Sequence, residues 1–249
     1  MTLRHRVINS VVSFVLGAAL LAAACFAILR AFTWQWSGVW EYRSVFWSGW
    51  LATIWISSAA LGLSVLLGLL AAFARRSPYP AVRWLSTGYV EVIRGTPLLV
   101  QLLILFYVVF DAVGLANRYV AGILILSIFS GAYIAEMVRA GIASVGQSQL
   151  ESARAIGLTR WQTYRHVIFP QAIRHILPPL AGQAASIIKD SSLLSILGIA
   201  EFTLAAQQVN SATYSTLESY LPLAFGYLAL TLPVSLVARA LEKRFRYET

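Results

Sequence analysis

Charged residues are scarce in this sequence, and their scarcity excludes most soluble folds. Only 12% of the 249 residues are Asp, Glu, Lys or Arg, whereas 59% are hydrophobic. A soluble domain of this size carries about 25% charged residues. The composition therefore predicts an integral membrane protein. In such a protein the net charge of +9 indicates membrane orientation rather than nucleic-acid binding.

Cysteine, histidine and lysine are also rare. The single cysteine, Cys25, lies in an apolar run and excludes a disulfide framework, and the three histidines are scattered, so no metal site is expected. A nucleotide-binding P-loop needs a Lys directly after a Gly. The two lysines, Lys189 and Lys243, follow Ile and Glu instead. We therefore expect no P-loop ATP site and no cofactor bound to this chain.

Long apolar runs are abundant. A helical span needs about 20 apolar residues, and the runs predict an all-α fold, a polytopic membrane bundle of six transmembrane helices. The first run is too long for a cleaved signal peptide and is taken as a retained span. The predicted spans are Val7–Leu29, Trp47–Ala74, Leu85–Phe110, Tyr119–Ala143, Ala172–Ile199 and Ser219–Ala238.

Tryptophans concentrate between the first two spans, in Thr33–Trp50. Trp collects at membrane interfaces, where its ring is apolar and its N–H finds a partner. We interpret this segment as an external interfacial loop, with a carbohydrate-binding platform as the alternative. The chain then divides into residues 1–46 with the extra first span and this loop, a five-span domain at 47–244 and a tail at 245–249.

Small residues four apart recur in the second span, as Ser58 and Gly62 and again as Ser64 and Gly68. Such pairs form a groove that allows close helix packing in lipid.

The distribution of basic residues predicts the orientation. With six spans, both termini share one side with the loop between the fourth and fifth spans. That side holds fourteen Lys and Arg, and the other side holds three. Because cytoplasmic loops are enriched in Lys and Arg, both termini and this loop are predicted to be cytoplasmic.

The loop between the fourth and fifth spans, residues 144–170, carries two helix-start signals. Ser148 precedes Glu151 by three residues and Thr159 precedes Gln162 by three, the spacing of a capping box. Gly157 can take the left-handed conformation that ends a helix. The pattern predicts two short helices joined at Gly157, the second ended by Pro170. A solvated loop with some helix is the alternative.

Several charges fall inside the predicted spans, where they are costly and therefore functional candidates. Glu91 and Arg94, and Glu136 and Arg139, are three residues apart and could pair on one helix face. Lys189 lies deep in the fifth span, where it could meet a charged group within the membrane. The alternatives are structural self-pairing and a Lys that snorkels to the interface.

The loop resembles the coupling loop of ABC importer permeases, which carries Glu-Ala-Ala, three residues, Gly, nine residues and Ile-x-Leu-Pro. Here Glu151-Ser152-Ala153, Gly157 and Val167–Pro170 keep this spacing, with Ser in place of the middle Ala and Val and Phe in place of Ile and Leu. The resemblance implies a helix that docks into a cleft of the ATPase subunit. It implicates Glu151, Ser152, Ala153, Ala155, Gly157 and Leu158 in coupling.

Further segments resemble the polar amino-acid branch of these permeases: Glu91–Gln101, Ala132–Ile142, Pro170–Pro179 and Lys189–Leu193, followed by Glu201. The matches extend from about Trp50 to Arg244, so the first span has no counterpart. The resemblance implies a permease that carries a polar amino acid across the bacterial cytoplasmic (inner) membrane. The residues predicted to border its pathway are Lys189, Asp190, Ser191, Gln101, Glu136 and Glu201.

The resemblance also implies the partners. These are an ATP-binding cassette ATPase dimer that binds ATP and Mg, an external solute-binding protein and a second permease subunit, identical or a sibling. The sequence leaves the amino acid open, and another small polar solute is the alternative substrate.

Three other classes of protein are alternatives to a transporter of this family. A DNA-reading helix-turn-helix, resembled by Ala153–Gly157, would need a complete small domain, and about 30 residues between spans are too few. An ATPase-independent channel or secondary transporter would need paired repeats, and none is visible. A membrane enzyme would need a nucleophile, carboxylate dyad or metal set, and none is recognisable.

Overall fold

The structure, a computed structural model, describes residues 16, 17, 19, 20, 23, 26, 30 and 34–245. No strand occurs within this part of the chain, so the all-α prediction is confirmed. The predicted first span, Val7–Leu29, lies outside the described residues except for isolated helical positions, as does the tail beyond Phe245. The division into residues 1–46, 47–244 and 245–249 stays a prediction.

The helices are numbered here in chain order, with the π and 3₁₀ segments named separately. They are α1 (Trp36–Glu41), α2 (Arg43–Ala74), α3 (Pro80–Gly95), α4 (Leu98–Phe110, with a π segment at Leu105–Phe110), α5 (Arg118–Ala143), α6 (Gln147–Ala155), α7 (Arg160–Thr163, followed by a π segment at Tyr164–Ile168), α8 (Phe169–Asp190, followed by a 3₁₀ helix at Ser191–Leu197), α9 (Phe202–Thr213) and α10 (Thr216–Phe245).

Three described helices, α2, α5 and α10, are long and apolar enough to cross a membrane, and the bent pair α3 and α4 would make a fourth span. α8, the predicted fifth span, has 22 residues, which is about 33 Å of helix. Its polar residues keep it out of that apolar group. The structure therefore supports a multi-pass helical protein, whereas the count of six stays a prediction.

α2 and α5 form the centre of the bundle because small residues bring their backbones together. Gly68 and Ser64 of α2 are buried, and a Cβ at Gly68 would lie 2.6 Å from Cγ2 of Ile134 and 3.0 Å from the carbonyl oxygen of Gly131 on α5. The Ser64–Gly68 pair therefore makes the close packing predicted for it. Gly62, in the other pair, has no neighbour within 4 Å of a built Cβ.

This difference predicts opposite outcomes for two valine substitutions in one helix. Gly68→Val should force α2 and α5 apart and lower the free energy of unfolding by about 1–3 kcal/mol, whereas Gly62→Val should leave it unchanged. Thermal melting of the detergent-solubilised protein measures both. Equal melting temperatures for the two variants would contradict the close contact at Gly68.

The third predicted span, Leu85–Phe110, is not one helix. It breaks between α3 and α4, and the direction of the helix axis bends by 113° at the break. Pro97 cannot donate a backbone hydrogen bond, and Thr96 before it is extended, with φ −126° and ψ 148°, as steric contact with a following Pro favours. The predicted span runs through Thr96-Pro97 and so misses the break.

Pro170 does not end the second loop helix, which corrects a second prediction. α7 passes through the π segment Tyr164–Ile168 directly into α8, with Pro170 in the first turn of α8. The wider π turn before Pro170 leaves room for its ring, so the helix continues past it. The second half of the loop and the fifth helix are therefore one continuous rod.

The segment before the last predicted span contains a helix, α9. In α9 the buried residues Phe202, Ala205, Ala206 and Val209 recur at helical spacing and pack toward α2 and α10. α10 then begins at Thr216 and continues to Phe245, so the helix extends beyond Ala238, where the sixth span was predicted to end.

The Trp-rich segment is held against α10 by a backbone contact. The N–H of Gln35 donates to Oε1 of Glu218, which is 1% exposed, at 2.5 Å. The rings of Trp34 and Trp36 stack with centroids 5.7 Å apart, and both rings are exposed. An interfacial role for this segment stays a prediction.

Candidate functional site: a charged cavity and the coupling loop

Glu136 of α5 lies at the centre of a cluster of arginines. Arg139 forms a bidentate ion pair with Glu136, with Nη2 2.5 Å from Oε1 and Nε 2.9 Å from Oε2. Arg75, the C-cap residue directly after α2, donates to Oε2 from Nη1 at 2.9 Å. Nη1 of Arg94, on α3, lies 3.8 Å from the same oxygen. One carboxylate therefore ties α2, α3 and α5 together at the end of the bundle that bears the 144–159 loop.

The two predicted ion pairs have different outcomes. Glu136 and Arg139 pair as their three-residue spacing predicts. Glu91 and Arg94 do not pair with each other, because Glu91 faces Arg75 at 3.8 Å while Arg94 lies over the ring of Tyr133 and approaches Glu136. Glu91 therefore has Arg75 as its partner in place of Arg94 on its own helix. Sequence spacing alone does not indicate this exchange of partners.

A cavity of about 410 Å³ opens beside the cluster. Glu136 and Arg94 give it charges of opposite sign, and Tyr133 contributes an aromatic face. α8 supplies His175, which sequence reasoning did not select because it has no charged neighbour at helical spacing. The lining residues are Arg94, Tyr133, Glu136, Met137, Ala140, Gly141, Ser144, His175 and Pro179.

Lys189, Asp190 and Ser191 lie where α8 changes to a 3₁₀ helix. The side chain of Lys189 is exposed, Asp190 is half-buried, and Ser191 is fully buried and donates to the carbonyl of Ile188 at 2.8 Å. Ten residues of helix separate Lys189 from Pro179 of the cavity, which is about 15 Å. The predicted pathway residues of this chain therefore occupy two levels of the bundle rather than one site.

Glu201 and Gln101 are both engaged in holding the backbone. Glu201 is fully buried and caps α9, accepting from the N–H groups of Thr203 and Leu204 at 2.8 Å and from the hydroxyl of Tyr227 at 2.8 Å. Nε2 of Gln101 donates to the carbonyls of Ile93 and Thr96 at 2.7 and 3.0 Å, across the break between α3 and α4. Their place in a pathway stays a prediction.

The loop between α5 and α8 has the predicted two-helix shape with one different start. α6 begins at Gln147 with Gly146 as its N-cap, so the predicted Ser148 capping box does not start the helix. Thr159 and Gln162 do form their capping box. Gly157 has φ +78°, the left-handed conformation predicted for it.

The surface of this loop differs from the predicted set at one residue. Glu151, Ser152, Ala155 and Gly157 are exposed and Leu158 is half-buried. Ala153 is 3% exposed, so its small side chain packs within this chain. Its role in coupling stays a prediction.

Two large apolar side chains of the loop face outward. Ile156 is 76% exposed and Trp161 is 72% exposed. Sequence reasoning missed both because they flank the motif, although an apolar residue beside a left-handed Gly in an otherwise polar loop is a usable signal. Outward apolar side chains on a polar loop are typical of a surface that another protein covers.

Comparison with known proteins agrees with this architecture. The family described as binding-protein-dependent transport system inner membrane component matches residues 64–247. The chain is 36% identical to the glutamine transport system permease protein GlnP of Escherichia coli K12, over 85% of this chain and 98% of that one. It is 37% identical to the probable glutamine ABC transporter permease protein GlnM of Bacillus subtilis 168, over 81% and 93%.

Solved structures agree as well. A chain in the crystal structure of an amino acid ABC transporter with histidines superposes with a TM-score of 0.80 at 36% identity, covering 86% of this chain and all of that one. The MetNI methionine ABC transporter matches with a TM-score of 0.68 at 16% identity, over 82% and 97%, and shows the shared fold. The chain belongs to the family of binding-protein-dependent transport system inner membrane components, and it is a permease subunit of an ABC importer, a transport subunit rather than an enzyme.

Proposed function

We propose that this permease carries a polar amino acid. The observation that supports the substrate class is the cavity beside Glu136, where a carboxylate and the guanidinium of Arg94 line one space of about 410 Å³. An amino acid is a zwitterion, and groups of both signs can offset the hydration that it loses. The relatives named for glutamine, and the L-cystine transport system permease protein TcyB of Bacillus subtilis 168, point to the same class.

Uptake by the assembled transporter tests the substrate class. The permease is co-purified with its ATPase and any sibling subunit, placed in vesicles and given the external binding protein with labelled amino acids. ATP-dependent uptake of at least one polar amino acid is expected. Uptake of only an uncharged sugar or a metal ion would contradict the proposal.

The ATPase partner docks on the exposed face of the coupling loop in this proposal. Glu151, Ser152, Ala155 and Gly157 are exposed there, with Ile156 and Trp161 beside them. ATP and Mg are bound by that partner, which forms the dimer predicted above. A second permease subunit, identical or a sibling, and an external solute-binding protein complete the assembly.

Lys189 borders the route in this proposal, at a second level above the cavity. Lys189→Met keeps the length of the side chain and removes its charge, so uptake should fall at least tenfold while assembly with the ATPase persists. Lys243→Met, at the exposed end of α10, is the matched control and should leave uptake unchanged. Normal uptake by the Lys189 variant would make that residue structural.

Both termini are cytoplasmic in this proposal, because the basic residues collect on that side. A reporter fused after Thr249 should be active in the cytoplasm. A reporter inserted after Tyr214, which is 89% exposed between α9 and α10, should be active outside. The opposite result at either position would contradict the predicted topology.

A further inference from the structure

An apolar groove runs along the outside of the bundle between α2, α5 and α8. Its volume is about 630 Å³, and its walls include Val65 and Leu69 of α2 and Ile173 and Leu180 of α8. A second hollow continues it past the end of α2, since Phe73, Ile142 and Tyr164 line both. The groove therefore has an apolar floor and a mouth at the loop end of the bundle.

The mouth is basic. Arg76 lines the outer hollow and Arg165 lines the groove, and no carboxylate is among the described residues that line either part. Within the described residues neither arginine has an acidic group within 4.0 Å. The guanidinium of Arg76 lies over the ring of Tyr164, with Cζ 5.8 Å from the centroid. This contrasts with its neighbour Arg75, which turns inward to Glu136.

The depth of the groove matches one leaflet of a bilayer. Val65 lies eleven residues before Arg76, which is about 16 Å. Half of a hydrocarbon core is about 15 Å. Tyr164 lies at the same end as the arginines, where aromatic residues gather at a membrane interface.

We propose that this groove is a binding site for an anionic phospholipid. One acyl chain lies along the floor, and the phosphate is held by Arg76 and Arg165, because guanidinium and phosphate form strong charge-assisted hydrogen bonds. Basic recesses between membrane helices on the cytoplasmic side are suited to anionic headgroups. The lipid would touch both α2 and the π segment that joins the coupling loop to α8, so it braces the loop against the bundle.

Lipid retention by the purified full-length chain tests this site. The protein is equilibrated with vesicles of phosphatidylglycerol and phosphatidylcholine in equal amounts, repurified, and its bound lipid is quantified by mass spectrometry. Wild-type protein should retain phosphatidylglycerol at least tenfold over phosphatidylcholine. Arg76→Gln with Arg165→Gln should abolish this preference, and Arg83→Gln, which removes one charge from the same side outside the groove, should keep it.

A groove-filling variant separates a seated lipid from a diffuse attraction. Ile173→Trp leaves both arginines in place, so loss of phosphatidylglycerol retention supports an acyl chain in the groove, whereas unchanged retention would overturn it. Equal retention of the two lipids by wild-type protein would overturn the proposal as well. So would a disulfide between Cys substituted at Val12 and at Ile173 in a Cys25→Ser background, because a first span, from this chain or a second copy, would then occupy the groove.

Discussion

Replacing Glu136 by Gln is expected to cause the largest loss of function among substitutions in the charged cavity. The amide removes the negative charge that Arg75, Arg94 and Arg139 share. Hydrogen bonds to charged groups contribute about 1.5–3 kcal/mol each. Since the Glu136 side chain is 21% exposed, we expect the free energy of unfolding to fall by about 2 kcal/mol. ATP-driven uptake should fall at least tenfold, measured beside thermal melting.

The chain offers a matched control for this substitution. Glu91→Gln removes a carboxylate that is 66% exposed and 3.8 Å from Arg75, so both readouts should change little. The double variant Glu136→Gln with Arg139→Gln restores the net charge of the cluster but leaves Arg75 and Arg94 without their carboxylate, so the melting temperature should recover only in part. Recovered uptake in the double variant would show that Glu136 is structural only, and full uptake by the single variant would remove the cluster from the mechanism.

Replacing Gly157 by Val is expected to uncouple the permease from its ATPase. Gly157 has φ +78°, and a Cβ built there meets nothing within 4 Å. The strain is therefore one of backbone conformation, about 1–2 kcal/mol or more for a β-branched residue. The turn between α6 and α7 should shift, so that ATP hydrolysis continues without uptake. Hydrolysis and uptake are measured together in vesicles.

Two variants separate the turn from close approach by the partner. Gly146→Val lies in the same loop at φ −59°, an ordinary conformation, and should be tolerated. Gly157→Asn places a side chain that accepts the left-handed conformation. Restored coupling in the Asn variant indicates that the turn itself is required, and continued loss indicates that the partner needs the space. Normal coupling in Gly157→Val would leave Gly157 as a simple loop residue.

The parts of the fold that the sequence predicts are those governed by local rules. The start of α5 near Tyr119, the left-handed Gly157 and the Thr159 capping box depend on the chemistry of a few adjacent residues. The pairing of Glu136 with Arg139 depends on helical spacing. Each is present in the structure, and the Glu136–Arg139 pair forms even though Arg75 and Arg94 contact the same carboxylate.

The parts that the sequence conceals depend on contacts between distant residues or on the response of a helix to Pro. α3 carries Glu91 and Arg94 whereas α4 is almost wholly apolar, but hydropathy alone gives no sign of the 113° bend between them at Thr96-Pro97. At Pro170 the reverse occurs, since a residue that normally stops a helix is accommodated by a π turn. Arg75 binds Glu136, which is 61 residues away, and this ion pair forms only because α2 packs against α5.

The uninterrupted path from Arg160 through the π segment to Asp190 acts as a lever. At 1.5 Å per residue it is about 45 Å long, and it begins in the loop and ends beside Lys189. A tilt of about 5° imposed at the loop would swing the far end by about 4 Å, by the geometry of a rigid rod of that length. In the proposed assembly a displacement of the ATPase partner would therefore reach the membrane interior as a rotation of this rod. The rod could yield at the π turn or at Pro178 and Pro179, which interrupt its backbone hydrogen bonds.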